Sequence, residues 1–279
     1  MKCSVIVISW NAMQYIPACL EHLQQAVADS DTEIIFIDNG SVDDTELFVR
    51  EHYPHIRYRN LGINKGVAGA RNVGISMASG DYIWLLDVDT EANYGAFTAM
   101  KNYLDTHPQT GICATKLVSA QGDAQQSCLK MPTITQKFKN FIFAFLNKLP
   151  LINNFRFIRS VAGSIWYSNR KYFYLKEMEQ DIPFTCQYVI GACQMIRRDL
   201  IDEIGYLDER IFYGPEDADF CLRCWKYGKD VVYIPYVSII HHYQKITNKK
   251  IFSKMSWMHV QGLIHFFWKH QRLFRTGVK

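Results

Sequence analysis

The sequence predicts an α/β fold, a central and mostly parallel sheet covered by helices, with a basic, aromatic, helical C-terminal region. Three observations carry this. Short β-branched runs alternate with helical patterns over the first hundred or so residues, the habit of strands joined by helical crossovers. One run, Asp81-Tyr-Ile-Trp-Leu-Leu86, is nearly all apolar, as a strand buried on both faces should be. The 279 residues, 48% hydrophobic and 14% aromatic, suffice for a substantial core and exclude disorder.

The elements follow in order. Strand one is Ser4–Ser9, and a helix covers Ile16–Ala28. Strand two, Glu33–Ile37, runs into the polar turn Asp38-Asn39-Gly40-Ser41. The acidic helix start Val42-Asp43-Asp44-Thr45 comes next, where carboxylates meet exposed backbone N–H groups and the positive end of the helix dipole. A third strand near Ile56–Tyr58 leads to Asn60-Leu-Gly-Ile-Asn-Lys-Gly66 and a small-residue helix, Val67–Ala78, stopped by Gly80. Strand four delivers Asp87-Val88-Asp89 at its carboxyl end. Residues 130–185 break the alternation with lysines, aromatics and prolines and read as an insertion or separate lobe. From 186 the globular pattern resumes, with Tyr188-Val-Ile190, helices near Asp199–Ile204 and Asp217–Tyr227, and a strand-like run Val231–Ile240. The last forty residues read as helical and amphipathic. The expected organisation is therefore one domain over 1–245, in parts 1–120, 121–185 and 186–245, followed by a C-terminal region over 246–279.

The longest strictly apolar run, Phe141–Leu146, is far short of the roughly 20 residues that cross a bilayer. The N-terminus enters a strand without the zones of a secretory signal, so folding in the cytosol is expected. Eight irregularly spaced cysteines read as reduced thiols. The net charge of +4 is unevenly spread: residues 124–176 hold nine Lys/Arg and 231–279 hold eight, with no Asp or Glu in either stretch. Such stretches suit a polyanion or an anionic bilayer surface, and equally read as solvated helical faces. Trp257, Phe266, Phe267 and Trp268, beside Lys269, His270, Arg272 and Arg275, belong either to core or to a lipid headgroup layer.

In open α/β sheets ligands sit at the carboxyl ends of the strands, so Ser9-Trp10-Asn11, Asp38-Asn39 and Asp87-Val88-Asp89 should face one crevice. Asp87 and Asp89 offer hard oxygen ligands to Mg²⁺ or Mn²⁺, although a lone D-x-D is ordinarily a solvated turn. The loop Asn64-Lys-Gly-Val-Ala-Gly-Ala-Arg-Asn72 adds close backbone approach and an anion-favouring helix start, and with the acids it describes a site for a metal-bound diphosphate. The chain has neither G-x-G-x-x-G nor a P-loop, so hydride transfer and P-loop hydrolysis are unsupported. Glu216, Asp217 and Asp219 cluster at a helix start, ordinary for a helix N-terminus but also suited to general base chemistry. His241 or His242 supplies an imidazole where the chain returns. Cys221 and Cys224 share a helix face and read as core, since no second C-x₂₋₄-C completes a zinc site.

Taken in order, Val5-Ile-Val-Ile-Ser-Trp-Asn11, Glu33 to Thr45, Asn64 to Ile75, Leu85-Leu-Asp-Val-Asp89, Gly191-Ala-Cys-Gln-Met-Ile-Arg-Arg198, and Gly205 through Arg223 resemble the family 2 inverting glycosyltransferases of the GT-A fold. The rhamnosyltransferase-like branch is closest. The resemblance covers residues 3 to about 120 and 186 to 245. It implies that Ser9, Asn11, Asp38 and Asn39 hold base and ribose, and that Asn64, Gly66, Arg71 and Asn72 approach the nucleotide and diphosphate. Asp87 lies toward the ribose and metal, Asp89 binds the metal, and a late His completes it, His241 aligning better than His242 because Pro235 lies six residues before it. Asp217 is implied as the base, with Glu216, Asp219 and Arg223 orienting acceptor or backbone. Mg²⁺ or Mn²⁺ is the implied cofactor and a nucleoside-diphosphate sugar the donor. The acceptor is a saccharide or lipid-linked saccharide of bacterial surface polysaccharide or lipopolysaccharide synthesis. An anionic membrane on the inner face of the cell and a second copy of the chain are further candidate partners; nucleic acid is not one. The rivals are a catalytically inactive glycan- or nucleotide-sugar-binding relative and a nucleotidyltransferase, whose opening loop after strand one is missing from Ser9-Trp-Asn-Ala-Met.

Overall fold

The structure, a computed structural model, describes residues 1–138, 174–242 and 254–271. The chain runs β1 (Cys3–Ser9), α1 (Ile16–Val27), β2 (Thr32–Asp38), α2 (Thr45–His52), β3 (Arg57–Asn60), α3 (Gly66–Met77), β4 (Tyr82–Asp87), β5 (Thr90–Glu91), α4 (Tyr94–Thr106), β6 (Thr110–Val118) and β7 (Cys128–Leu129). It continues through β8 (Phe184–Thr185), β9 (Tyr188–Val189), β10 (Cys193–Arg197), α5 (Arg198–Ile204), α6 (Glu216–Lys226), β11 (Asp230–His241) and α7 (Lys254–His270). The insertion expected over 121–185 falls largely outside the described residues, as do the run Phe141–Leu146 and both flanks of α7.

The main sheet has the order β3-β2-β1-β4-β10-β6-β11-β5, with β8 also on β11. Its first four strands are mutually parallel, as their alternation with helices requires. β10 then enters antiparallel to both β4 and β6, so that the sheet is mixed. An antiparallel strand begins where its neighbour ends, and Cys193 therefore pairs with Leu86 and Gly191 arrives beside Asp87. β11 is parallel to β6, and its register shifts between Ile234 and Ser238, around Pro235, which has no N–H for the ladder. Beyond that shift β11 pairs with β5, His241 opposite Thr90.

Buried side chains alternate between the two sides of the sheet. Val5, Val7, Trp84 and Leu86 join one core, while Ile6, Ile83 and Leu85 join the other, the period of two that a pleated strand imposes. All eight cysteines are buried and free of disulfides, with Cys221 and Cys224 in the second core.

α7 covers one flank of this second core through Leu263, Phe266 and Phe267, which assigns both phenylalanines to core. Trp257 and Trp268 face outward. Two acids, Asp219 buried and Asp208 half-buried, bolt the helix down. Asp208 accepts bonds from His265 Nε2 at 3.0 Å and Lys269 Nζ at 2.8 Å. Asp219, with no exposed surface, pairs with Lys269 at 2.7 Å, His270 at 2.7 Å and Arg223 at 2.9 Å. Burial alone would raise the Asp219 carboxyl, but His270, Arg223 and Lys269 outweigh it and hold it at about 2. Its folded value thus lies below that of an unfolded aspartate, about 3.9. The stabilisation it supplies is complete above that unfolded value and is lost as pH falls toward 2. Asp219→Ala is expected to lower unfolding free energy by about 2 kcal/mol in urea titrations near pH 7, since it strands charged partners, and the difference from the parent protein should shrink on acidification.

Candidate active site

The carboxyl ends of β1, β2 and β4 converge as expected, but they divide the predicted residues into a framework and an open face. Asp38 is 1% exposed. Its Oδ1 accepts from Ser41 N at 2.7 Å and its Oδ2 from the Tyr58 hydroxyl at 2.7 Å and Asn60 Nδ2 at 3.2 Å. It therefore holds the turn from beneath, where the sequence suggested a carboxylate presented to the ligand. Asn39 reaches across to the glycine loop: its Nδ2 donates to Asn64 Oδ1 (3.1 Å) and Gly66 O (3.2 Å), and its Oδ1 accepts from Lys65 N (2.8 Å). Gly66 adopts a φ of +77°, and a Cβ there would lie 2.4 Å from Phe212 O, so only glycine lets this helix start close on the segment that leads to Glu216. Asn11, with φ +49°, ties the rim to the β2 turn, accepting from Val42 N at 2.9 Å and donating its own N–H to Ser41 Oγ. Ser9 is buried, its Oγ without a hydrogen-bond partner among the described residues.

Arg71 and Asn72 point into the framework. Asn72 Nδ2 donates to Leu207 O and Glu209 Oε1 at 2.9 Å each, and its Oδ1 accepts from Leu207 N at 3.0 Å. This fixes the segment entering the acidic loop. The Arg71 guanidinium, 2% exposed, lies between two acids that are distant in sequence. Its Nη2 donates to Asp87 Oδ1 at 2.7 Å and Gly191 O at 2.8 Å, and its Nη1 is 3.6 Å from Glu216 Oε1. Expected on the diphosphate side, it sits instead under the crevice floor. Gly191 also donates its N–H to Asp217 Oδ2 at 3.3 Å. A Cβ on Gly191 would come within 2.1 Å of Arg71 Nη1, so Gly191→Ala is expected to displace the guanidinium. That should cost about 1–3 kcal/mol of stability in thermal or urea melts and lower turnover with it.

Asp87, Asp89 and His241 bring ligand atoms within 4.8 Å of one another. His241 Nε2 lies 3.5 Å from Asp89 Oδ1. Gln125 orients the ring: its Nε2 donates to His241 O at 2.6 Å, so its Oε1, 2.7 Å from Nδ1, takes that ring proton. Nε2 is thereby the ring nitrogen turned to the acids, the arrangement of a metal-ligating imidazole. Two carboxylates and an imidazole suit Mn²⁺, while Mg²⁺ favours oxygen alone. His242 is held elsewhere, 2.6 Å from Glu91 Oε1 and stacked on Tyr15; adjacent residues of a strand point to opposite faces.

Glu216 and Asp217 open α6. Asp217 Oδ1 accepts from Ala218 N at 2.7 Å. Burial pushes Asp217 up, against the backbone donors of Ala218 and Gly191 and the charges of Arg71 and Lys137. Burial and the Asp217 charge push Glu216 up as well, against Arg71. A half-buried carboxylate with raised proton affinity is a stronger base than an exposed one. Asp219 is buried behind the pair, with the half-buried Arg223 beside it. Arg223 donates to Ile204 O at 2.5 Å, Gly205 O at 3.2 Å and Tyr206 O at 2.8 Å, capping α5, so of the two expected roles these residues take the orientation of backbone.

Sequence reasoning missed Gln125, Lys137 and His259. The last comes from α7, its Nδ1 buried without a hydrogen-bond partner among the described residues and 3.1 Å from where a Cβ on Gly214 would lie. No local pattern marks any of them, because each reaches the site from a part of the chain with no motif of its own.

The family model described as "Glycosyl transferase family 2" matches residues 4–205. A relative from Mycobacterium tuberculosis (strain CDC 1551 / Oshkosh), N-acetylglucosaminyl-diphospho-decaprenol L-rhamnosyltransferase, is 21% identical over 287 residues, covering 99% of this chain and 87% of the relative. Among solved structures, GalNAc-T7 with UDP, GalNAc and Mn²⁺ matches with a TM-score of 0.66 at 12% identity, over 96% of this chain and 48% of that one. This chain thus spans about half of that protein. The mannosyltransferase PcManGT from Pyrobaculum calidifontis, in complex with GDP-Man and Mn²⁺, matches with a TM-score of 0.60 at 16% identity, over 99% of this chain and 65% of that one.

Proposed function

The chain belongs to glycosyl transferase family 2, a glycosyltransferase of the GT-A fold, and on that premise we propose that it moves a sugar from a nucleoside-diphosphate sugar to an acceptor hydroxyl by a single, inverting, metal-dependent displacement. The observation that carries this is the Asp87–Arg71–Glu216 bridge, at 2.7 and 3.6 Å, with Gly191 joining Arg71 to Asp217. Through it the candidate metal acids and the candidate base share one floor.

Asp217 removes the proton of the acceptor hydroxyl as that oxygen attacks the anomeric carbon. The bond to the diphosphate oxygen breaks as the new bond forms, so the configuration inverts and no covalent intermediate arises. Asp87, Asp89 and His241 would hold the divalent cation, which as a Lewis acid offsets charge on the departing nucleoside diphosphate. Arg71 orients Asp87 through its 2.7 Å bond and sets its positive charge beside the Glu216–Asp217 pair. The Asp217 charge in turn raises the proton affinity of the buried Glu216 beside it. Ser9, Asn11, Asn39, Asn64 and Gly66 shape the nucleotide cradle, held from beneath by Asp38 and Asn72.

The M. tuberculosis relative's name describes rhamnosyl transfer to a diphosphate-linked lipid saccharide. The acceptor class proposed here is accordingly a saccharide or lipid-linked saccharide of cell-surface glycan synthesis, met at the inner face of the membrane. No helix among the described residues is long and apolar enough to cross a membrane. The inactive-relative reading finds no support, since acids, imidazole and orienting groups are all kept together. Release of nucleotide from a panel of UDP-, dTDP- and GDP-sugars, with Mn²⁺ and with chelator, tests the proposal. One donor turned over only with metal supports it; release from none, even with saccharide acceptors present, contradicts it.

A further inference from the structure

α7 has two unlike faces. The inner face is packed and bolted: Gly262 is so close to the loop before Glu216 that a Cβ on it would lie 2.7 Å from Gly214 O, and His265, Lys269 and His270 engage Asp208 and Asp219. The outer face carries Trp257, Val260, Ile264 and Trp268, exposed by 62%, 43%, 61% and 75%. Their spacings of three, four and four residues place all four along one side of the helix. Nothing in the described chain covers them. An apolar line ending in a tryptophan at each end, about 16 Å long by helical rise, is too large to be scattered surface hydrophobicity.

The charge of the surrounding sequence selects the occupant. Lys245, Lys249, Lys250 and Lys254 precede the stripe and Arg272, Arg275 and Lys279 follow it, with no Asp or Glu anywhere from 231 to 279. Two copies meeting through this face about a two-fold axis would bring like charges together. Anionic headgroups would neutralise them, each Lys or Arg at the surface contributing about 1 kcal/mol, and tryptophan rings settle at the boundary between headgroups and acyl chains.

We propose that the Trp257–Val260–Ile264–Trp268 face of α7 lies on a bilayer surface bearing anionic headgroups. The helix then works as a spacer: with its inner face fixed to the segment that carries Glu216 and Asp217, it holds the base about one helix diameter, roughly 10 Å, from the lipid. An acceptor hydroxyl on a membrane-borne saccharide is met at that height. This second consequence rests on the transferase reading above; the docking itself does not.

Flotation of the full-length protein with vesicles of phosphatidylglycerol and phosphatidylcholine, against phosphatidylcholine alone, tests it. The protein should float with the anionic vesicles at low salt, remain behind with neutral ones, and be released by high salt as screening shortens the range of the charges. The double variant Trp257→Ser, Trp268→Ser should lose at least about tenfold in bound fraction, an order of magnitude well within the burial worth of two indoles, with unchanged melting temperature and metal-dependent nucleotide release. Failure of the parent protein to float at low salt, or equal flotation of the double variant, overturns the proposal. So does a parent dimer in light scattering that the double variant dissolves while vesicles bind neither protein, which would assign the face to a second copy. Nucleotide release in the same preparations separates the two ideas: release without flotation removes only the docking, whereas flotation without release from any donor removes only the transferase reading.

Discussion

Asp217→Asn is expected to bind the nucleotide sugar as the parent protein does and to transfer sugar about 10²- to 10⁴-fold more slowly, the scale of a positioned general base. The amide keeps the size of the carboxylate and an oxygen for the N–H of Ala218, 2.7 Å away, giving up only the longer bond from the Gly191 N–H at 3.3 Å. What it loses is the ability to take a proton. The pH profile adds a second readout. Burial raises the Asp217 carboxyl, and the base works only when deprotonated. The acid limb of kcat/KM should therefore stand above the ordinary carboxylate range, activity falling as pH drops through it. Arg71 opposes that shift from beneath. Single-turnover transfer and donor calorimetry together check the prediction, and unchanged turnover in Asp217→Asn would place the base elsewhere.

Asp89→Ala is expected to abolish metal-dependent donor binding and with it several kcal/mol of transition-state stabilisation, a loss of 10³-fold or more in kcat/KM by the usual conversion. Asp89 is nearly buried and 3.5 Å from His241 Nε2, so it is a hard oxygen held where an imidazole ligand already points. Gln125→Ala should weaken metal affinity without removing a ligand, because His241 then loses the acceptor that fixes its tautomer. Calorimetry of nucleotide diphosphate with and without Mn²⁺ reads both; equal affinity in Asp89→Ala and parent protein would move the metal away from β4.

The parallel half of the sheet was legible because its strands are short apolar runs punctuated by polar turns. Ser4–Ser9, Glu33–Ile37 and Val67–Ala78 were read to within a residue or two of β1, β2 and α3. β10 was not read as a strand. Cys193-Gln-Met-Ile-Arg197 carries a glutamine in its interior, and that amide is satisfied only by tertiary contacts such as Val189 O at 2.7 Å. Nor does any local signal announce that a strand will enter antiparallel between β4 and β6. α4 and β6 were likewise not singled out.

The candidate site was legible for a related reason: Asp87, Asp89 and Asp38 stand at strand ends, where the fold gathers loops. Residue chemistry alone could not rank carboxylates that share a helix start, and only the family resemblance singled out Asp217. Glu216, Asp217 and Asp219 look alike until burial separates them, Asp219 vanishing behind His270 and Lys269 while Asp217 keeps an open side. Arg71 was identified by motif but placed on the wrong side of the floor, because a guanidinium beside a diphosphate loop reads the same whether it faces ligand or framework. His241 was preferred to His242 through Pro235, and the register shift around that proline is what carries β11 on to β5 and turns His241 to Asp89.

Crystals of the protein soaked with Mn²⁺ and an unreactive donor analogue, read by anomalous scattering at the manganese edge, test the central claim most directly. The account predicts one anomalous peak among Asp87, Asp89 and His241, with the sugar's anomeric carbon turned toward Asp217 and room for a single acceptor oxygen between them. A peak elsewhere, or a sugar directed away from Asp217, would contradict it.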